Sequence, residues 1–217
     1  EAKGSGWIVG TELSDKGVVP EAAGRAAAES VLASRHGERI SSGEYTVILS
    51  PQAVGDFLSH IILPSLNLAV MDAAGSTFQG KLGQIVADPR FTLYDHGALP
   101  GKVGSRRYTC EGLPTGKTLL IDRGRMVGFL TNDYYRKKIL NSPDALEKLG
   151  ASPDQFPEAF VPRNGFRSGE SLGRNFMAKP SISPTNVIVE SEETCSLDQL
   201  LAEVDHGVYV GRIWYTY

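Results

Sequence analysis

YTVILSPQAVGDFLSHIIL, residues 45–63, changes its period in the middle. Residues 45–49 are a short β-forming run. Ser50-Pro51 interrupts it: a serine hydroxyl can accept from the first free N–H groups of a helix, and proline suits the first helical position because its missing N–H has no partner there anyway. Apolar residues then recur as Val54, Phe57, Leu58, Ile61 and Ile62, one stripe of a 3.6-residue period. Gln52, Asp56, Ser59 and His60 fall largely on the other side. The stretch therefore reads as strand, cap and amphipathic helix, with Pro64 ending the helix because the residue before a proline disfavours α geometry.

The pattern extends in both directions. Residues 20–35 predict a helix, with Pro20 and Glu21 in its first turn, a run of alanines, and Gly37 as the stop. Residues 91–94 read as a strand. Residues 117–122 and 125–131 flank Arg123-Gly124 and read as a hairpin. Residues 134–140 predict a helix. Residues 141–184 carry six of the twelve prolines and read as an irregular surface insertion with one short helix, 144–149. Residues 187–190 form a strand. Ser196 and Gln199 fit a capping box, followed by the stripe Leu197, Leu200, Leu201, Val204 and a stop at Gly207. Residues 208–217, VYVGRIWYTY, are dense in β-formers. Irregular alternation with hairpin signals predicts a single domain over 1–217 of the α+β class, with a mainly antiparallel sheet.

Composition narrows the function classes. The chain has 217 residues, 41% hydrophobic and 22% charged, with a net charge of −3. No overall positive field favours nucleic acid. Cys110 and Cys195 are far apart, which suggests no disulfide framework and fits a reducing, cytoplasmic compartment. No apolar run is long enough to span a membrane, and the first residues lack the basic start and apolar core of a signal peptide. With no initial Met and a strand pattern running to the last residue, the sequence reads as an excerpt of a longer protein.

Candidate chemistry is sparse. GLPTGKT, residues 112–118, imitates a phosphate loop, but three residues separate Gly112 from the Gly-Lys pair where four are needed to wrap a phosphate. The histidines are His36, His60, His96 and His206, and no pair has metal-ligand spacing. Asp56 and His60, four apart on one helix, can form an ion pair. A hydrolytic site using His60, Asp56 and His96 stays open as an alternative, although no serine lies in a nucleophile-elbow pattern. Arg106-Arg107 is one of several basic patches and reads as solvated surface or a polypeptide contact.

Four tracts together resemble one family: SGEYTVILSPQAVGDFLSH, GSRRYTCEGLPTGKTLLIDRGRMVGFLTNDYYRKKI, RNFMAKPSISPTNVIVE and SLDQLLAEVDHGVYVGRIWYTY. Their order is similar to that of the TldD/PmbA family, the so-called modulators of DNA gyrase. The resemblance implies a fragment of that family's C-terminal domain, α+β with a large, curved, mainly antiparallel sheet and a few packed helices, and it implies two related subunits. The TldD type carries an HExxxH zinc motif on the helix after the first strand and cuts extended peptides. The PmbA (TldE) type lacks the motif and helps form the peptide chamber. Laid on this chain, the motif falls on Ser59, His60 and Pro64, so no zinc ligand carries over. The resemblance then implies a non-metal subunit with no cofactor of its own, a homo- or heterodimer with a TldD-type partner that holds the zinc, and an extended peptide as substrate. Nucleic acid and membrane are not expected partners. Arg106, Arg107, Tyr209 and Trp214 are the expected peptide contacts. A hydrolase with a different site, or a non-catalytic scaffold, are the alternatives.

Overall fold

The computed structural model describes residues 19–167 and 177–213. The chain separates into two compact units, 1–45 with 100–104, and 46–99 with 105–217. In the first, helix α1 (Pro20–Ser34) starts at Pro20 and buries none of its residues. The second unit carries the sheets and the core.

That unit opens with β1 (Thr46–Leu49) and α2 (Pro51–Phe57). Ser50 joins them as the sequence predicts: its Oγ accepts from the Ala53 N–H at 3.1 Å. The same hydroxyl donates to the Gly211 carbonyl at 2.7 Å, so the cap also fastens a distant segment. β1 pairs in parallel with β8 (Gly207–Val210), a pairing absent from the antiparallel expectation. A Cβ at Gly207 would lie 2.6 Å from the Thr46 carbonyl oxygen, so only glycine permits this approach. Of the strand expected over 208–217, Val208–Val210 lie in β8 and 211–213 are not in a strand, while 214–217, Trp214 among them, lie outside the described residues.

The helix does not stop at Pro64. It widens into a π turn (Leu58–Ile62), where the Leu63 N–H reaches back to the Leu58 carbonyl, and continues as α3 (Leu63–Ser65). The wider turn leaves room for the proline ring, which in an α turn presses on the carbonyl four residues earlier. It also rotates the buried face. Leu58 and Leu63 are buried, Val54 and Ile62 pack partly against the core, and Phe57, expected inside, is 36% exposed.

A four-stranded antiparallel sheet, in the order β4-β3-β2-β7, forms the centre: β2 (Phe91–His96), β3 (Lys117–Asp122), β4 (Arg125–Met126) and β7 (Val187–Ser191). Arg123 and Gly124 both have positive φ, 44° and 76°, the geometry a tight hairpin turn requires. Leu93, Leu120, Ile121 and Met126 pack on Leu66, Leu68 and Met71 around α4 (Leu68–Asp72). From the Pro-rich segment, α6 (Ala145–Leu149) and two 3₁₀ turns (Pro153–Gln155, Pro157–Phe160) complete the core. Of the segment 141–184, expected at the surface, the described residues Ala145, Leu149, Ala159 and Phe160 belong to the core. The Phe160 ring centroid lies 5.7 Å from that of Phe129. Asp72 ties three helices together, with Lys138 of α5 (Asp133–Leu140) at 2.6 Å and Lys148 of α6 at 3.1 Å.

β5 (Gly165–Phe166) and β6 (Ser181–Ile182) form a separate antiparallel pair. The capping box of α7 (Leu197–Ala202) is present, with both Ser196–Gln199 hydrogen bonds formed. Its stripe, however, lies open: Leu197, Leu200 and Leu201 are all exposed.

Candidate functional site

The sequence-predicted residues are held locally. The Gln52 amide donates to Asp56 Oδ1 at 3.1 Å. His60 Nδ1 lies 2.8 Å from the Asp56 carbonyl oxygen, so the ring engages its own helix backbone, not the Asp56 carboxylate. His96 Nδ1 accepts from the Ala98 N–H at 3.2 Å, within its own loop. Among the described residues no hydrogen bond joins His96 to Asp56 or His60. Arg106 and Arg107 have exposed side chains on a fixed backbone: the Arg106 N–H donates to Gly97 at 2.7 Å, and the Arg107 carbonyl accepts from Thr115 at 3.1 Å. Tyr209 is 46% exposed on β8.

The features that stand out lie on the central sheet. Side chains alternate along a strand, so Leu93 and Asp95 of β2 and Thr118 and Leu120 of β3 turn into the core. Tyr94, itself buried, and Lys117 meet on the opposite face, with the exposed Glu190 of β7. Lys117 Nζ sits 3.9 Å from the Tyr94 ring centroid, a close cation–π contact. The Tyr94 hydroxyl donates to Glu190 Oε1 at 2.6 Å. That bond, and then burial, raise the tyrosine pKa above its usual value. Two cavities flank Lys117 and Leu119. One, of about 550 Å³, is lined by Val127, Phe156, Pro157, Ala159 and Arg163. The other, of about 450 Å³, is lined by Thr92, Asp122, Arg123, Glu190 and Glu192.

β7 is the edge of this sheet. It pairs with β2 on one side in continuous register, Phe91 opposite Ser191 through Asp95 opposite Val187, and the His96 N–H donates to the Asn186 carbonyl just beyond. Hydrogen-bonded pairs alternate along an antiparallel ladder. The backbone groups of Val187, Val189 and Ser191 therefore point outward, where no described strand pairs with them.

Asp95 is the polar residue that sequence reasoning missed, next to the His96 that it named. It is 1% exposed and accepts from the Thr185 N–H at 2.7 Å, the Thr185 hydroxyl at 2.9 Å and Asn164 Nδ2 at 2.7 Å. Burial pushes its carboxyl pKa up, against the pull of those hydrogen bonds. The available signal was the alternation in FTLYD, which places Asp95 on the same face as Leu93. Glu111, in the EGLPT tract, also has a structural position. Its Oε2 accepts from the Asp133 N–H at 3.1 Å, at the start of α5. Gly165 permits this, since a Cβ there would lie 2.3 Å from that oxygen.

Comparison with known proteins adds one decisive observation. Residues 42–216 match the PmbA/TldA metallopeptidase C-terminal domain. The chain belongs to this family. Relatives of the PmbA/TldA domain described here include an uncharacterised Methanocaldococcus jannaschii protein, 27% identical over 180 residues, which are 83% of this chain and 36% of the relative. A metalloprotease of Methanothermobacter thermautotrophicus is 22% identical over 208 residues, 96% of this chain and 40% of the relative. Among solved structures, a Thermotoga maritima protein described as a candidate modulator of a DNA gyrase aligns with a TM-score of 0.70 at 25% identity, covering 93% of this chain and 40% of that one. TldE from Thermococcus kodakarensis aligns with a TM-score of 0.62 at 21% identity, covering 89% and 39%. The chain thus spans well under half the length of the relatives it matches.

Metallopeptidase descent implies a metal, and the donors present do not fit one at the expected place. Ser59, His60 and Pro64 are all exposed around the π turn, and they offer one imidazole, one hydroxyl and one side chain with no donor atom. Among the described residues no three His, Cys, Asp or Glu gather where they could hold an ion. No described helix is long and apolar enough to cross a membrane.

Proposed function

We propose that this PmbA/TldA domain belongs to the non-metal subunit of a two-subunit peptidase and holds extended peptide for a zinc-bearing partner. The observation that carries the reading is the donor set on the π turn: Ser59, His60 and Pro64 cannot supply the two histidines and glutamate that a zinc peptidase of this family type uses. What remains is a binding surface. The open edge of β7 offers backbone groups of Val187, Val189 and Ser191 to an added strand, the usual way an extended peptide is gripped without regard to its sequence. The cavities beside Lys117 and Leu119 offer space for side chains. The exposed leucines of α7 and the exposed Val47 and Tyr209 on the β1–β8 pair give apolar surface suited to a partner subunit.

The test uses the intact protein and a relative with an intact HExxxH motif. Alone, the protein should bind an extended peptide and leave it uncut, and metal analysis should find no stoichiometric zinc. Mixed with the relative, it should form a hetero-oligomer by light scattering and yield peptide cleavage that chelator abolishes. Cleavage by the protein alone in the presence of chelator would refute the reading and favour a different hydrolytic site.

A further inference from the structure

Resting on that reading, we infer that the larger cavity beside β3 is an anchor for the free C-terminal carboxylate of an extended peptide ending in an apolar residue. Leu119, Val127, Phe156, Pro157 and Ala159 give it an apolar wall, with Gln155 and Glu158 as further polar lining, and its space suits one aliphatic or aromatic side chain. Two cations are among its lining residues. Lys117 is on β3, and the Arg163 side chain lies over the residue before it, where a Cβ at Gly116 would be 3.4 Å from Arg163 Nε.

Neither cation is neutralised by a close, buried partner. Lys117 has no carboxylate within ion-pair distance among the described residues; its ammonium rests on the Tyr94 ring at 3.9 Å. The ring holds the ammonium in place without satisfying its three N–H donors. Arg163 makes one long contact, 3.5 Å, to Glu158, whose side chain is 82% exposed, while the Arg163 side chain is only 22% exposed. A guanidinium has five donors in a fixed fork that matches a carboxylate, so most of its capacity is unused. An amidated end or an ammonium has no acceptor pair to offer this rim. The neighbouring cavity shares Lys117 and adds Arg123, but sets them against Asp122, Glu190 and Glu192, so its lining carries more acid than base.

The experiment measures binding of three N-acetylated tetrapeptides to the intact protein: one ending in leucine as free acid, the same peptide amidated, and an amidated peptide with glutamate before the leucine. The free acid should bind roughly tenfold tighter than either amide, the scale of a charge-assisted contact at a partly exposed rim. K117M and R163M each keep an aliphatic stem and should each erase most of that preference, with the fold monitored by circular dichroism. Equal binding of acid and amide, or a preference that survives both substitutions, overturns the anchor and leaves peptide holding intact. Tight binding of the glutamate peptide assigns the rim to a side-chain carboxylate and overturns the terminal one. Failure of all three peptides to bind overturns the anchor whatever the mixing experiment gives.

Discussion

Replacing Asp95 with alanine should unfasten the start of β7 from the core. The carboxylate accepts from the Thr185 N–H, the Thr185 hydroxyl and Asn164 Nδ2. Each hydrogen bond to a charged group nets about 1.5–3 kcal/mol, so a naive sum reaches about 4.5–9 kcal/mol. Two effects reduce it. The Thr185 hydroxyl can rotate to another acceptor, and Asn164 Nδ2 keeps the Ser183 carbonyl at 3.2 Å, so the Thr185 N–H is the one group left stranded. Burial already disfavours the ionised carboxylate, as its raised pKa records, so removing it also removes a cost. The balance is a loss of about 3 kcal/mol. Its pH dependence has a definite sign. A carboxyl with a folded pKa above the unfolded 3.8 binds its proton more tightly when folded. Its contribution is full below pH 3.8 and declines as pH rises through the folded value. The alanine variant lacks that decline, so the cost of the substitution should be largest in acid and shrink toward neutral pH. Denaturant melts of both proteins at several pH values between 4 and 8 measure this. A loss below about 1 kcal/mol throughout, or a cost that grows with pH, would refute the buried-network account.

The π turn makes a sharper prediction than a plain helix does. Leu58→Ala should cost about 2–5 kcal/mol and Phe57→Ala under about 1 kcal/mol by chemical denaturation, whereas a regular amphipathic stripe would make both costly. Asp72, held below its ordinary pKa chiefly by its hydrogen bond to Lys138, stabilises the fold above pH 3.8 and loses that contribution as pH falls below it. Asp72→Asn should therefore cost about 1 kcal/mol at pH 7 and progressively less as pH falls below 3.8, read from thermal melts across that range. Glu111→Ala should cost about 1 kcal/mol by uncapping α5 at Asp133, with the helix amides of 133–136 exchanging faster with solvent; unchanged exchange there would show that Asn132, whose Oδ1 accepts from the Tyr135 N–H at 2.9 Å, alone suffices as the cap.

Some of this protein was legible in the sequence because its chemistry closes over a few residues. Ser50-Pro51 starting a helix, Arg123-Gly124 turning a hairpin, and the Ser196–Gln199 box are settled by hydrogen bonds and dihedral preferences spanning at most four positions. The order of tracts also sufficed to place the chain in its family. Faces and partners were decided elsewhere. The Ser50 hydroxyl meets Gly211 across 161 positions, and the parallel β1–β8 pair depends on that long return of the chain. The α7 stripe has the right period for burial, yet period specifies only that a face exists, while a neighbouring element must arrive to cover it, and none of the described residues does. Pro64 stops an α-helix by local rules, but packing of Leu58 and Leu63 against the core favours the π turn that lets the chain pass. Asp95 shows the same division. Strand alternation put it on one face with Leu93, and only the folded chain determined that this face is the interior, because Asn164 and Thr185, distant in sequence, come together there to solvate a carboxylate that water no longer reaches.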